Sequence, residues 1–279
     1  MSALRLGTRG SALALAQARW VAERLEVEVA IVEIATAGDV DRAAGDKSRW
    51  TGALERALRD GEIDIAVHSA KDVPGELAEG TDIVAVPPRE DPRDVLVGAA
   101  SLAALAEGAR VGTSALRRRA QLLAVRPDLD VVELRGNVDT RLRKLAAGEV
   151  DALVLAAAGL ARLGRRELVA APLEGPVFVP APGQGCLAVQ ARAGGRYDSI
   201  DDPEAHAALL AERAVVARLG ASCHTPVGVH RGPGDLIAFV GLPDGSEWLI
   251  DAAPDADALA GRLLAAGAAD LLARAEALA

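Results

Sequence analysis

The strongest constraint on the fold is an alternation of short apolar segments with amphipathic helical segments through the first two-thirds of the chain. Residues 4–6 predict a strand, residues 11–25 a helix with Ser11 at its N-cap, and residues 27–34 a second strand. This rhythm is typical of parallel sheets covered by helices. We therefore predict an α/β fold class.

The alternation continues well beyond these first elements. It predicts further strands at residues 63–67, 82–86, 95–97, 110–112, 131–134, 152–155 and 186–191, and further helices at residues 50–59 and 115–125 and from Ser101 and Asn137. Residues 36–49 lack apolar periodicity and predict a loop. From Asp201 the pattern becomes a helix, three short strands and a closing helix rich in Ala and Leu, which predicts a small α+β domain.

Two proline-rich crossings, at residues 87–92 and 180–185, predict where the chain passes between domains. The strand after the second crossing is expected to return to the first sheet. Two α/β units joined by two hinge-like crossings predict a cleft between them. The predicted domains are residues 1–87 with 186–200, residues 88–185, and residues 201–279.

Composition excludes several classes of protein. Hydrophobic residues make up 51% of the chain and charged residues 25%, as in ordinary soluble globular proteins. The N-terminus lacks the apolar core of a signal peptide and no segment has the length of a membrane span, so we expect no membrane association and a cytoplasmic location. The two cysteines form no metal-ligand pattern, so we expect no metal site and at least one free thiol.

Charge is unevenly distributed along the chain. Residues 110–144 contain nine Lys or Arg and four Asp or Glu, a net charge of +5, whereas the whole chain carries −9. A basic island in an acidic protein favours a small anionic ligand over nucleic acid. Aromatic residues, at 2%, also argue against base stacking. We expect no nucleic-acid partner.

The segment IDIAVHSAKDVP, residues 63–74, reads as a buried strand that ends in polar residues. In open α/β sheets, residues just beyond the carboxyl ends of strands line the ligand crevice. Asp72, next to Lys71 and followed by Pro74, is a candidate general acid or base, or an anion facing a developing cation. The alternative is a solvated turn in which Ser69 or Asp72 caps the backbone.

A second candidate site is VGTSALRRRAQL, residues 111–122. Thr113 and Ser114 lie between a strand and a helix, where free backbone N–H groups bind anions. Arg117 and Arg118 fall in the first helical turn, where cations oppose the helix dipole unless an anion is near them. The alternative is an exposed basic helix face, but that face would favour arginines at the other helix end.

ELRGNVDTRLRKL, residues 133–145, repeats this geometry one strand–helix unit later. Arg135 ends a strand and Arg141 lies on the next helix, so two arginine-bearing strand ends are expected to meet at one sheet edge. Guanidinium groups bind carboxylates bidentately, which suits a polycarboxylate ligand. Arg9 and Ser11 occur in a similar segment of the first domain, and Arg162 is a further candidate whose alternative is an exposed helix arginine.

The two cysteines lie in different contexts. Cys223, in the segment LGASCHTPVG after a long helix, has small neighbours and a following His, which favours an accessible thiol of lowered pKa. A buried, inert thiol is the alternative. Cys186 enters a predicted strand and fits the inert role better.

Taken in order, these motifs resemble those of the hydroxymethylbilane synthases, also called porphobilinogen deaminases. The resemblance covers almost the whole chain and is carried by TRGSALALAQ, AVHSAKDVP, PREDPRD, GTSALRR, LRGNVDTRL, AGLARLG, PGQG and CHTPVG. It implies two periplasmic-binding-protein-like α/β domains around a cleft and a small C-terminal α+β domain. It also implies a monomeric transferase that condenses four porphobilinogen molecules head to tail with release of ammonia.

The resemblance further implies a dipyrromethane cofactor joined through a thioether to Cys223, with Asp72 as the catalytic carboxylate. The residues implied to bind the cofactor are Cys223, Asp72, Ser69, Lys71, Lys47, Thr113, Ser114, Arg117, Arg118, Arg135 and Arg141. Those implied to bind the substrate are Arg9, Ser11, Arg135, Arg141, Arg162 and Gln184.

One stretch departs from the family pattern. Where the family usually has Gly-Gly-Lys-Gly-Leu-Phe, residues 45–50 read GDKSRW, so Lys47 is kept and Trp50 replaces the phenylalanine. A basic residue usually found four positions before the lysine is Ala43 here. The altered loop leaves open a family member with impaired turnover. The hinge-and-cleft architecture leaves open a second alternative, a non-catalytic two-lobed anion-binding protein.

Overall fold

The computed structural model describes residues 3–36, 48–222 and 225–278 of the chain. The chain forms two compact units, one of Met1–Glu90 with Gly185–Leu209 and the other of Asp91–Gln184 with Leu210–Ala279. Each unit contains a five-stranded sheet and helices, which confirms the predicted α/β class. The finer division into three domains stays a prediction.

The described elements follow the predicted alternation closely. The strands are β1 (Leu4–Thr8), β2 (Val29–Glu33), β3 (Ile65–Ser69), β4 (Thr81–Ala85), β5 (Asp94–Val97), β6 (Arg110–Thr113), β7 (Asp130–Glu133), β8 (Ala152–Ala156), β9 (Ala171–Pro172), β10 (Leu187–Arg192), β11 (Val227–Arg231), β12 (Leu236–Gly241) and β13 (Trp248–Ala253). The helices are α1 (Ala12–Ala22), α2 (Ser48–Arg59), α3 (Leu116–Val125), α4 (Val138–Ala146), α5 (Ala157–Arg162), α6 (Pro203–Leu219), α7 (Ala256–Ala265) and α8 (Ala268–Ala277).

The first sheet has the strand order β2-β1-β3-β10-β4. β1 is parallel to β2 and to β3, whereas β10 is antiparallel to both β3 and β4. The predicted return of the strand near residue 186 to this sheet is confirmed, and the expectation of a parallel sheet is wrong for that strand. β10 runs the other way because the chain re-enters the sheet from the second unit rather than through a helical crossover.

The second sheet, β7-β6-β8-β5-β9, repeats this plan. β6 is parallel to β7 and β8, and β5 is antiparallel to β8 and β9. In each unit, the first strand after a proline-rich crossing runs antiparallel to its neighbours. This strand is β10 in the first unit and β5 in the second. The carboxyl ends of those parallel strands share one edge of each sheet.

The C-terminal part of the second unit is an antiparallel sheet, β11-β12-β13, with α7 and α8 packed on it. The prediction of a single closing helix is wrong. Gly267 adopts a left-handed conformation (φ 101°) that separates α7 from α8. Glycine tolerates this backbone at no steric cost, so one helix ends before Gly267 and the next begins after it.

The helix predicted from Ser101 is also wrong, because the segment forms only a short 3₁₀ turn, Leu102–Ala104. Ser101 does cap this turn, accepting a hydrogen bond from the Ala104 N–H. Leu105 then adopts extended backbone (φ −71°, ψ 132°) and buries its side chain in the core of the second unit. Core packing of Leu105 therefore ends the helical turn.

Candidate active site

In the first unit, predicted polar residues follow two neighbouring parallel strands. Arg9 and Ser11 come after β1, while Ser69 ends β3 and is followed by Lys71 and Asp72. Parallel neighbours end at the same sheet edge. The structure therefore brings these five predicted residues to one edge of the first sheet.

Asp72 is the last residue of a 3₁₀ turn, Ala70–Asp72, whose backbone is held by hydrogen bonds. The Ala70 N–H donates to the Cys186 carbonyl oxygen (3.0 Å), and the Val73 N–H donates to the Ala70 carbonyl oxygen (3.2 Å). The side chains of Ala70 and Val73 are buried in one core with Cys186, and Asp72 is only partly buried. The backbone under the carboxylate is thus held while the side chain keeps access to solvent.

Both serines at this edge bond within the first unit. Ser69 and the buried side chain of Gln17, on α1, exchange hydrogen bonds of 2.9 and 3.2 Å, which join α1 to the end of β3. Ser11 is the N-cap of α1, as predicted, and its Oγ accepts a hydrogen bond from the Ala14 N–H (3.3 Å). Ligand binding by either serine stays a prediction.

Arg9 stacks on an aromatic side chain that follows the altered loop. Its guanidinium carbon lies 4.1 Å from the centre of the Trp50 ring, at the start of α2. This is a cation–π geometry, which fixes the plane of the guanidinium. The residue that departs from the family pattern therefore contacts a predicted substrate-binding arginine.

His68 faces the side of β3 opposite Ser69, as successive strand residues must. It is buried, with 6% of its surface exposed. Burial lowers its pKa from the ordinary 6.5 to about 4, although nearby Glu55 and Asp72 favour the protonated form. His68 is therefore uncharged at neutral pH. Unlike Ser69, Lys71 and Asp72, it belongs to the protein interior rather than to the sheet edge.

The pH dependence of folding tests this assignment. The folded-state pKa of His68 is lowered, so between pH 7.5 and pH 5 the unfolded chain takes up a proton that the folded chain does not, and stability falls as pH falls. We expect a loss of about 2 kcal/mol in the free energy of unfolding from this group. Urea denaturation of the wild type and of His68→Gln at both pH values measures it; equal losses in the two proteins would contradict the assignment.

In the second unit, β6 and β7 are parallel neighbours, and the predicted anion-binding residues follow their carboxyl ends. Thr113 ends β6, and the next residue, Ser114, accepts a hydrogen bond of 2.9 Å from Arg141 Nη2 on α4. Arg135, just after β7, is exposed and pairs with Glu133 (2.6 Å). The two arginine-bearing strand ends thus meet at one sheet edge.

Arg117 and Arg118 lie in the first turn of α3 but are buried, each with 6% of its surface exposed. Both pair with Asp94, whose own exposure is 4%: Arg117 Nη2 lies 2.7 Å from Oδ2 and Arg118 Nη2 lies 2.8 Å from Oδ1. Cations at a helix N-terminus need a nearby anion, and here Asp94 of the same chain is that anion. Their binding of a ligand carboxylate as well stays a prediction.

Gln184 is buried and bonds to the same carboxylate. Its Nε2 donates to Asp94 Oδ1 (2.9 Å) and to the Pro92 carbonyl oxygen (2.6 Å). Arg162, the last residue of α5, is partly buried. Lys47 and Cys223 lie outside the described residues.

The described ranges contain neither a metal-binding cluster nor a membrane-spanning helix. Among residues 3–36, 48–222 and 225–278, no group of three or more His, Cys, Asp or Glu side chains is arranged to hold a metal ion. In the same ranges, no helix has the length and apolar character needed to cross a membrane.

The sequence analysis missed Asp94 and Gln17. Asp94 forms ion pairs with two predicted site arginines, and Gln17 forms hydrogen bonds with Ser69. Asp94 is part of the quoted PREDPRD motif, but neither its burial nor its partners more than twenty positions away have a local signal. Gln17 lies 52 residues from Ser69. Cys186, predicted to be inert, is buried with 1% of its surface exposed.

The fold and these clusters define the class of protein. It is a mixed α/β protein in which a carboxylate on a held turn follows a strand end of one unit, and a set of arginines follows the strand ends of the other. A sequence model described as "Porphobilinogen deaminase, dipyromethane cofactor binding domain" matches residues 4–200. The chain belongs to the porphobilinogen deaminase family, and it contains the domain that binds the dipyrromethane cofactor.

Relatives match over nearly the full length of the chain. Porphobilinogen deaminase of Roseiflexus castenholzii is 46% identical, covering 98% of this chain and 99% of its own length. The protein of the same name from Deinococcus deserti is 44% identical and covers 98% of each chain. Among solved structures, a periplasmic substrate-binding protein of an ABC transporter from Coxiella burnetii matches with a TM-score of 0.41 and 17% identity, over 75% of this chain and 91% of that one.

Proposed function

We propose that this protein is a hydroxymethylbilane synthase, a transferase that joins four porphobilinogen molecules head to tail and releases ammonia at each step. The observation that carries the proposal is the placement of Asp72 on a fixed turn at the carboxyl end of β3, in a chain that contains the dipyrromethane-binding domain. A partly exposed carboxylate beyond a strand end suits chemistry on a ligand.

Asp72 has two roles in this reaction. The aminomethyl group of porphobilinogen, protonated as an ammonium, loses its C–N bond; ammonia leaves with the electron pair, and a methylene-pyrrole cation remains. The carboxylate of Asp72 accepts a hydrogen bond from the pyrrole N–H and opposes the positive charge that develops on the ring. The cation then forms a carbon–carbon bond with the free α-carbon of the chain end, which loses a proton.

The arginines of the second unit suit the rest of the ligand. Each pyrrole ring carries an acetate and a propionate, so a growing chain adds two carboxylates at every step. Arg135 and Arg141 lie at the edge where β6 and β7 end, and guanidinium groups bind carboxylates in a bidentate manner. Their joint placement supports binding of a polycarboxylate.

The donor set of this unit also fits the dipyrromethane cofactor. Arg117, Arg118 and Asp94 together carry one net positive charge in a buried setting, which favours one further carboxylate. We propose that Thr113, Ser114 and these arginines hold the cofactor carboxylates, and that Cys223 forms the thioether. When bound, the cofactor supplies the pyrrole α-carbon from which the chain grows.

Incubation of the purified protein with porphobilinogen tests the proposal. We expect release of one ammonia for each porphobilinogen consumed and a linear tetrapyrrole that cyclises on standing to a uroporphyrinogen, which added oxidant or air converts to a uroporphyrin. Ammonia and the oxidised product are measured by enzymatic assay and by absorbance. Binding without ammonia release would contradict the proposal and favour an impaired family member or a binding protein. A cytoplasmic location and a monomeric state are further predictions of this function.

Trp50→Ala is expected to weaken substrate binding, because Arg9 loses the ring that orients it. A cation–π contact contributes about 0.5–2 kcal/mol, so KM for porphobilinogen should rise about 2- to 30-fold with a smaller change in kcat. Trp50→Phe should keep most of the affinity. Trp20→Ala is the matched control, since Trp20 stacks on Arg24 (3.7 Å) in the same unit. An unchanged KM in Trp50→Ala would contradict this role.

A further inference from the structure

Asp94 is the first residue of β5 and the point where three separate segments of the second unit meet. Its carboxylate contacts Arg117 and Arg118 from α3 and Gln184 from the segment before the chain passes to the first unit. The Asp94 side chain is 4% exposed. A carboxylate this buried is stabilised only by close, well-aligned donors, and these three side chains provide them.

The same cluster fixes both guanidinium groups from more than one side. Arg118 donates to Asp94 through Nε (2.9 Å) and to the Val154 carbonyl oxygen through Nη1 (3.0 Å). Arg117 donates from Nη1 to the Val179 carbonyl oxygen (2.9 Å) and to Gln121 Oε1 (2.8 Å), and it pairs through Nη2 with Asp94. Among the described residues, these contacts use only part of the N–H donors that a guanidinium offers. They set the plane of each group.

We propose that Asp94 is a positioning residue, which aims Arg117 and Arg118 at the carboxylates of the pyrrole chain and joins them to Gln184. This inference rests on the proposed function, which makes the two arginines ligand-binding residues. Asp94 acts through the arginines and does not itself touch the ligand, because a carboxylate facing ligand carboxylates would repel them.

A positioning role and a purely electrostatic role for Asp94 predict opposite changes in ligand affinity when the charge of Asp94 is removed. Asp94→Asn removes one negative charge from beside the arginines. If charge alone mattered, an anionic ligand would bind more tightly in this variant. If position matters, the ligand binds less tightly, because the Asn amide presents N–H donors to guanidinium donors and releases them from their orientation.

The experiment compares wild type, Asp94→Asn and Asp94→Glu, each purified from cells that make porphobilinogen. Intact-protein mass spectrometry gives the fraction of each protein that carries dipyrromethane, and steady-state assays on that fraction give KM and kcat for porphobilinogen. We expect Asp94→Asn to have a lower modified fraction and a KM raised about tenfold, the effect of one lost charge-assisted hydrogen bond. Asp94→Glu, which keeps the charge, should lie between the two.

Leu96→Ala is the matched control for destabilisation, because Leu96 is fully buried two residues along the same strand and packs in the hydrophobic core of the second unit. It should lower stability but leave KM unchanged. A wild-type or lower KM in Asp94→Asn with full modification would overturn the proposal; if that variant does not fold, a wild-type KM in Asp94→Glu would do so. A wild type without the added mass would instead refute the proposed function.

Discussion

Asp72→Asn is expected to fold normally and to turn over porphobilinogen about three orders of magnitude more slowly than the wild type. The turn beneath it is held by the backbone of Ala70 and by the buried side chains of Ala70 and Val73, none of which the substitution touches. A carboxylate about 4 Å from a unit positive charge, at an effective dielectric near 20, contributes roughly 4 kcal/mol. An amide removes that charge stabilisation.

The measurement is ammonia release at saturating porphobilinogen, with thermal unfolding to confirm the fold. Asp64→Asn is the matched control in the same unit, because Asp64 pairs with Arg5 (2.7 Å) near the start of β3 and takes no part in the proposed reaction. It should leave kcat unchanged and cost under about 1 kcal/mol of stability. A wild-type rate in Asp72→Asn would remove Asp72 from its assigned role.

The second large effect is expected from the two cysteines. Cys223→Ser should lose the dipyrromethane mass entirely and with it all turnover, since a serine oxygen does not form the thioether. Cys186→Ser should retain the mass. Cys186 is 1% exposed and packs among Ala70, Val73 and Val86, so its sulfur is closed to a ligand. A buried hydroxyl in its place costs about 1–3 kcal/mol of stability.

Intact-protein mass spectrometry of the three purified proteins distinguishes these outcomes in one experiment. The wild type should carry the added mass when porphobilinogen was available in the producing cells. Loss of the mass in Cys186→Ser, with retention in Cys223→Ser, would reverse the assignment. An unmodified wild type would refute the cofactor linkage altogether.

Local patterns predicted most of the elements but not the direction of every strand. The strand near residue 186 was correctly expected in the first sheet, because it follows the second proline-rich crossing. Its antiparallel direction depends on where the chain comes from, which an apolar run does not encode. The helix expected from Ser101 failed for a related reason: burial of Leu105 overrides local helix preference.

The candidate site was predicted from strand ends, and the structure shows why that works only in part. Residues such as Ser114 and Arg141 meet because β6 and β7 are parallel neighbours, a relation that the alternation of elements predicts. Arg117 and Arg118 were expected to need an anion, but the sequence does not reveal that Asp94 provides it. Partners brought together by tertiary packing leave no periodic signal.

The insertion of β10 between β3 and β4 has a consequence for biosynthesis. A ribosome that has translated as far as Gln184 has made the other four strands of the first sheet but not β10, which lies between β3 and β4. At that point the Ala70 N–H, in the turn that bears Asp72, also lacks its hydrogen-bond acceptor, the Cys186 carbonyl oxygen. The first unit therefore completes its fold only after Gly185–Leu209 have emerged from the ribosome. Chains that terminate before this segment are exposed to aggregation and proteolysis.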